Sequence, residues 1–540
     1  MNNVIIKNGR SGSKGYAIGK LCIYKRNSYR PPRKKIQDTQ AEYLRFETAR
    51  ESALNSLDSM YDRTRMAAGS SNAEIFAAQA MILRDEDYIT RIKDNILKDN
   101  KNAEWAVSSA SRFFYEMFET LDDEVVKSKA QDLKDVSNKL IALLTDTDTV
   151  LHVNEPVILA ADYISPTELI QIDMSKLKGI VMNEGSAYSH AVILAKTLGI
   201  PVVLGVALKK VYDGQEAVVD GTGGKVIIGL DHEIKHRYLT LIDEELRDKS
   251  KLREYIGKKA VTRDGRSIEI FANIGRPSDV KSAIENDCEA VGLTRTEFMF
   301  LDRDNLPTEE EHFKAYREIV QAMEGRPVVF RTLDLGADKQ ISAVKIKAEE
   351  NPALGRRAIR LCLTDKDVFI PQIKGIFRAA CYGEVAIMYP MITSVREVEW
   401  INEIIEETLS SLRKDGVAYG KVRRGIMIET PAAALISDEL AEMVDFFSIG
   451  TNDLTQYTLA IDRQNSSLSQ FYEPYHDAVM RMIKMTVDNG HKAGIKVAVC
   501  GELAGDTTVA ERFIDMGVDA LSVNPGKILE LKRFICEIGT

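Results

Sequence analysis

Phe446-Phe447-Ser448-Ile449-Gly450-Thr451-Asn452-Asp453-Leu454 reads as a short buried strand, a glycine turn and the opening of a helix that carries an amide and a carboxylate. A compact apolar run closed by a turn signal is the mark of a strand buried on both faces. The same grammar recurs on either side. Strands are expected at 268–274, 290–293, 328–333, 385–389, 425–429, 496–500 and 519–523, and a helical pattern follows each, least clearly after the first. Eight such strands, in a stretch close to the ~250 residues typical of the fold, predict a (β/α)8 TIM barrel. An open doubly wound sheet is the competing topology. The polar residues argue against it, because they gather at one end of the strands.

In such a barrel the active site is built from the C-terminal strand ends. Here the second strand is followed by Thr294-Arg295-Thr296-Glu297-Phe298, and the third ends Arg331-Thr332-Leu333-Asp334. The fifth ends Met427-Ile428-Glu429-Thr430-Pro431. The sixth ends in the stretch quoted above, with Asp462-Arg463 one short helix later, and the seventh ends Val499-Cys500-Gly501-Glu502. Arginine forks suit phosphate and carboxylate oxygens, so Arg295, Arg331 and Arg463 are the expected anion clamps. Two acids would repel such a ligand unless a hard cation lies between them. Mg2+ takes one or two protein carboxylates plus substrate oxygens, which makes Glu429 and Asp453 its expected ligands. Any one of these residues alone would more often belong to an ordinary ion pair. Their joint occurrence at five strand ends is hard to obtain from packing. Cys500 alone would more often be an inert buried thiol, but its place in this mouth makes it a candidate catalytic group.

Upstream of the barrel the chain changes character twice. Residues 1–25 read as a glycine-punctuated strand pair. Residues 37–145 lack proline and repeat apolar residues at helical spacing (Ile75, Ala78, Met81, Ile82; Phe113, Met117, Leu121), as an inserted bundle would. A strand at 156–161 follows, then Ser165-Pro166-Thr167-Glu168, whose cap, proline and acid mark a helix start. Strands at 179–182 and 202–204 flank a helix from about 189 to 198, and a hairpin at 217–228 closes an α/β unit shared with residues 1–25. The expected organisation is therefore a multidomain α/β chain. Residues 1–30 and 146–230 form one α/β domain, 31–145 a helical bundle inserted into it, 231–259 a linking helix and 260–540 the barrel.

Gly185-Ser186-Ala187-Tyr188-Ser189-His190-Ala191 joins a strand to a helix. The positive end of that helix should keep the His190 imidazole neutral, the nucleophilic form, and would favour a phosphate carried on the ring. A histidine that merely packs at a helix start is the competing reading. His152, His232, His236, His312 and His491 lie in charged or helical stretches and are expected to be solvated. His476 borders the barrel elements and is assigned no role.

The 540 residues carry a net charge of -9, with a pI near 5.6. This disfavours nucleic acid as the main partner. No apolar run reaches the ~20 residues of a membrane span, and the N-terminus lacks a signal-peptide core. Six cysteines without metal-site spacing fit a reducing, cytoplasmic setting.

The sequence resembles the phosphoenolpyruvate-protein phosphotransferase family, the general enzymes of the bacterial sugar phosphotransferase system. The likeness covers nearly the whole chain. It is carried by Gly292-Leu293-Thr294-Arg295-Thr296-Glu297-Phe298 through Leu306-Pro307-Thr308-Glu309, and by Glu350-Asn351-Pro352. Ile428-Glu429-Thr430-Pro431-Ala432, Phe446 to Tyr457, and Val499-Cys500-Gly501-Glu502-Leu503-Ala504-Gly505 complete it. The resemblance implies a swivelling phosphohistidine domain in which His190 is phosphorylated at Nε2. It implies phosphoenolpyruvate bound by Arg295, Arg331, Asn452, Asp453 and Arg463, and Mg2+ on Glu429 and Asp453. Cys500 corresponds to the proton donor to the enol carbon. The bundle corresponds to the docking domain for the carrier HPr, and the barrel to a homodimer contact. The family loop Gly-Gly-Arg-Thr-Ser-His is altered here to Gly185-Ser186-Ala187-Tyr188-Ser189-His190, and the chain ends sooner after its eighth strand than many members. A dikinase or synthase relative would need an ATP-binding domain, for which there is no glycine-rich loop and no room. A nitrogen-regulatory relative would carry an extra sensory domain. A non-catalytic binding protein is the reading that the altered loop alone would favour.

Overall fold

Ile268, Ile270, Ala272 and Ile274 are buried and alternate with more exposed neighbours along strand Ser267–Ile274, the period-2 pattern of a strand with two unlike faces. This strand pairs in parallel with Ala290–Thr294 on one side and Ala520–Val523 on the other. It thereby closes an eight-stranded parallel barrel continued by Val328–Arg331, Val385–Tyr389, Val422–Ile428, Phe446–Ile449 and Lys496–Val499. The strands stand where the apolar runs place them, with ends differing by a residue or a few.

The computed structural model describes residues 4–24, 31–68, 70–119, 124–145, 147, 153, 155–185, 189–300, 303, 305–336, 344, 349–463 and 465–539. His152 and the departures Ser186, Ala187 and Tyr188 lie outside the described residues. The chain divides into two units, 1–249 and 250–540.

In the second unit, the space inside the strands is filled by Leu293, Met388, Met427 and Cys500. The barrel is thus a packed core and not a pore. A short strand, Ala260–Val261, runs antiparallel to the first barrel strand.

The first unit holds an eight-stranded mixed sheet. Tyr16–Tyr24 pairs in parallel with Val157–Ala161, although the helices Thr39–Ala68, Ser70–Ile82, Glu86–Leu97, Ala103–Glu119 and Glu124–Leu144 come between them in sequence. The bundle is therefore inserted between two adjacent strands. Val157–Ala161, Leu177–Met182 and Val202–Leu204 continue in parallel, and Glu216–Asp220 and Lys225–Ile228 form the hairpin. Ser165 and Glu168 make both bonds of a capping box at helix Pro166–Gln171. Helix His232–Arg253 follows the hairpin. Among the described residues no helix is long and apolar enough to cross a membrane.

Candidate active site

Strand direction brings the side chains of five strand ends to one rim of the barrel. Arg331, at the end of the third strand, is largely buried and doubly paired. Its guanidinium lies 2.7 Å from Glu297 Oε1 and 2.9 Å from Asp334 Oδ2. Burial opposes its charge, but Glu297, Asp334 and Glu429 outweigh that cost and hold the pKa above the ordinary value. Arg357 joins the cluster from the other side of Asp334, at 2.9 Å from Oδ1. It also donates to Tyr457 Oη at 3.2 Å, and the Tyr457 hydroxyl in turn donates to the Ala353 carbonyl. Each arginine is thus oriented by fixed partners, the arrangement that presents a rigid fork to an anion.

Glu429 is 1% exposed, and its Oε1 accepts the Met391 N–H at 2.7 Å. Burial, then Asp453 and Asp334, push its pKa well above the carboxylate range against the pull of Arg331 and the Met391 N–H. Gly450 allows this crowding, because a Cβ there would sit 2.8 Å from Glu429 Oε2. A buried carboxylate whose ionisation is opposed by a second acid beside it belongs to a donor set that suits a hard divalent cation. Among the described residues no group of three or more His, Cys, Asp or Glu side chains is placed to hold a metal. The protein would supply two carboxylates at most, and a bound substrate the remaining oxygens.

Cys500 is buried, with its thiol 3.6 Å from the Ile449 carbonyl. Burial pushes its pKa up to about 11; Glu429 adds to the rise, while Arg331 and Arg295 oppose it. At neutral pH it is a protonated thiol beside the anion cluster, which suits a proton donor and not a thiolate nucleophile. Arg295 is exposed at the rim, anchored through its backbone to the Ile274 carbonyl at 2.9 Å. Asn452 accepts the Glu502 N–H at 3.2 Å, and Arg463 is exposed with its backbone N–H on Gln456. Arg463, Glu502 and Asp453 all act on the half-buried Tyr472 hydroxyl, so these three also lie at this rim.

The structure gathers Arg331, Glu429, Asp453 and Cys500 directly, with Arg295 and Arg463 at the edge. Sequence reasoning missed Arg357, and quoted Glu297, Asp334 and Tyr457 without a role. Arg357 stands after Glu350-Asn351-Pro352 with no local signal of its own. Its tie to Asp334 spans 23 residues.

His190 opens helix His190–Thr197. Its Nδ1 lies 3.7 Å from Oδ1 of Asp132, a nearly buried carboxylate on bundle helix Glu124–Leu144. Gln79 Nε2 donates to the same Asp132 oxygen at 3.4 Å, and Thr167 Oγ1 donates to Gln79 Oε1 at 3.3 Å. The Asp132 carboxylate raises the His190 pKa above the ordinary imidazole value and outweighs partial burial. This corrects the expectation from the helix dipole alone. The field of an eight-residue helix start is weaker than a carboxylate at 3.7 Å. Ser189 occupies the N-cap position without a side-chain cap bond.

The remaining histidines divide. His232 and His236 are exposed. His491 pairs with Asp519 at 3.0 Å, and His476 caps helix Asp477–Lys492 through Nδ1. His312 corrects the expectation of a solvated ring: it is fully buried, because its helix turns that face toward Phe300 and Tyr316.

Comparison with known proteins agrees with this layout. Residues 249–539 match the family model described as PEP-utilising enzyme, PEP-binding domain. Residues 8–129 match the N-terminal model, and 153–224 the mobile-domain model, of PEP-utilising enzymes. A phosphoenolpyruvate-protein phosphotransferase of Priestia megaterium is 37% identical over 98% of this chain and 93% of its own length. Those of Bacillus subtilis (strain 168) and Staphylococcus carnosus (strain TM300) are 37% and 36% identical, each over 98% of this chain and over 94% and 93% of their own.

Proposed function

The chain belongs to the phosphoenolpyruvate-protein phosphotransferases, among the PEP-utilising enzymes, and from that premise we propose that it takes the phosphoryl group of phosphoenolpyruvate onto His190 and passes it to a histidine of the small carrier HPr. Pyruvate is released, and the transfer is the first step of the sugar phosphotransferase system. The observation that carries this reading is the gathering of largely buried Arg331 and Arg357 with buried Glu429 and Cys500 at one barrel rim.

Arg295, Arg331, Asn452 and Arg463 hold the carboxylate and phosphate of phosphoenolpyruvate, with Asp453 beside them. Glu429 and Asp453 hold Mg2+, which when bound offsets the charge of both acids and of the phosphate oxygens. The neutral Nε2 of His190 attacks phosphorus in line, a new N–P bond forms, and the P–O bond to the enol oxygen breaks. The enolate electrons then take a proton at carbon from the Cys500 thiol, giving pyruvate, and the thiolate regains its proton from water. Little covalent work falls to the protein, so positioning and charge neutralisation carry most of the catalysis.

His190 cannot face the barrel and a carrier protein at once, so its domain swings between two duties, with helix His232–Arg253 as the candidate hinge. Scattering curves that do not change on adding phosphoenolpyruvate and Mg2+ would remove the swing. Exposed Met81, Phe113 and Met117 on the bundle support the docking of HPr there. Exposed Leu435, Phe471 and Tyr475 on the barrel support a homodimer through that unit. Six free cysteines are in keeping with a cytoplasmic location. The test of the whole reading is transfer to purified HPr: phosphoenolpyruvate with Mg2+ should phosphorylate HPr in the presence of the wild type and not of His190→Ala. Equal transfer by both proteins would refute it.

A further inference from the structure

Behind the arginines lies a buried polar chain that the steps above do not use. Gln372, fully buried, projects from helix Lys366–Ala379 toward the ends of the second and third barrel strands. The Leu333 N–H donates to its Oε1 at 3.0 Å. A backbone N–H can meet only an acceptor, so this bond fixes which way the amide faces and leaves Nε2 to donate. Nε2 donates to Thr296 Oγ1 at 3.0 Å and to Tyr316 Oη at 3.1 Å. Thr296 passes its own proton to the Arg331 carbonyl at 2.8 Å, and the Tyr316 hydroxyl lies 2.9 Å from His312 Nδ1. Burial pushes the His312 pKa down to about 3, which keeps the ring neutral. The helices that carry these groups approach closely because Gly375 lacks a side chain; a Cβ there would lie 2.5 Å from His312 Cβ.

The position of this chain matters. The ladder between the second and third strands is irregular between Val291 and Thr294, immediately before Arg295. Backbone pairing loosens where the first anion clamp begins. The side chain of Gln372 bridges that place, reaching the Arg295 loop through Thr296 and the Arg331 loop through Leu333 and the Arg331 carbonyl. An apolar residue of the same shape would fill the space but leave the Leu333 N–H without its acceptor and cut the link between the two loops. We infer that Gln372 is a positioning residue for the anion pocket, holding the Arg295 and Arg331 loops at one fixed spacing. The inference rests on the reading of those arginines as the phosphoenolpyruvate clamp.

The test is steady-state kinetics of the full chain with phosphoenolpyruvate, Mg2+ and HPr. Gln372→Met and Thr296→Val should each raise KM for phosphoenolpyruvate about tenfold or more, with a smaller fall in kcat. Their combination should be no worse than the stronger single variant, because both cut one linkage. Tyr316→Phe severs only the arm toward His312 and should leave KM within about twofold. If Gln372→Met does not fold, the near-isosteric Thr296→Val carries the test. Unchanged KM in Thr296→Val, or an equal rise in Tyr316→Phe, overturns the inference. Arg331→Ala separates the two layers. If it leaves phosphoenolpyruvate use intact, the clamp reading itself fails; if it abolishes use while Thr296→Val behaves as wild type, the positioning role alone fails.

Discussion

The barrel rim and the histidine site carry their charges in opposite ways. At the rim, Arg331 is held by two carboxylates and Arg357 by a third bond pair, all largely removed from water. At the histidine, a ring whose side chain is 43% exposed faces one carboxylate at 3.7 Å. Buried networks of paired charges are costly to rearrange, whereas a half-exposed pair is worth little and is easily broken. The difference teaches which part waits and which part travels. A pocket that must meet a small trianion gains from rigidity, and a group that must serve two partners gains from a light hold.

Removing a rim charge should break this contrast most severely. Arg331→Ala leaves Glu297 without its cation, Asp334 with Arg357 alone, and the substrate without its fork. A buried charged contact of this kind is worth ~2–5 kcal/mol, and pyruvate release should fall to background in a coupled assay; unchanged kinetics would contradict the clamp. Cys500→Ala should follow, with turnover down ~10²–10⁴-fold, as for loss of a general acid. Labelling of His190 should still occur slowly, because phosphoryl transfer precedes protonation. Alkylation of the wild-type thiol should be slow at neutral pH and quicken as the pH climbs toward about 11.

Glu429→Gln sharpens the comparison from the stability side. The folded pKa of this acid is raised by burial, Asp453 and Asp334. The folded state therefore binds its proton more tightly than the unfolded chain does. Stability falls as pH rises from the ordinary carboxylate range toward the raised folded value. The variant should lose activity, yet in the absence of divalent cation its Tm near pH 7 should be higher by roughly 2–4 °C per kcal/mol relieved. Added Mg2+ should raise the wild-type Tm more than that of the variant. A lower Tm in the variant would deny the repulsion.

The smallest effect is expected at the histidine. Asp132→Asn should return the His190 pKa toward the ordinary imidazole value, followed by the ring proton signals across a pH series. Because Asp132 raises that pKa, its stabilising effect is complete below the unfolded imidazole value and disappears as pH rises through the folded one. An unmoved titration would remove Asp132 from the site.

The barrel was legible because its strands are short apolar runs ended by polar residues, a local pattern that survives without any knowledge of contacts. Arg295, Arg331, Glu429, Asp453 and Cys500 were legible for the same reason: the topology alone sends strand ends to one rim. Arg357 and Gln372 were not, since one stands just before helix Ala358–Thr364 and the other on a helix that reads as ordinary, and they act through partners 23 and 39 residues away. Asp132 was hidden in a charged helical stretch where most acids are solvated. Without it the helix dipole was the only visible field at His190, and the inferred direction of the pKa shift came out wrong. His312 was misread because charged neighbours on its helix mask the one face that turns inward.

The most direct measurement is mass spectrometry of the chain after incubation with phosphoenolpyruvate and Mg2+, with pyruvate counted in parallel. One acid-labile phosphoryl group on the His190 peptide for each pyruvate released is the expected result. Pyruvate formed without phosphorylated His190, or phosphate found at another residue, would contradict the transfer at the centre of this reading.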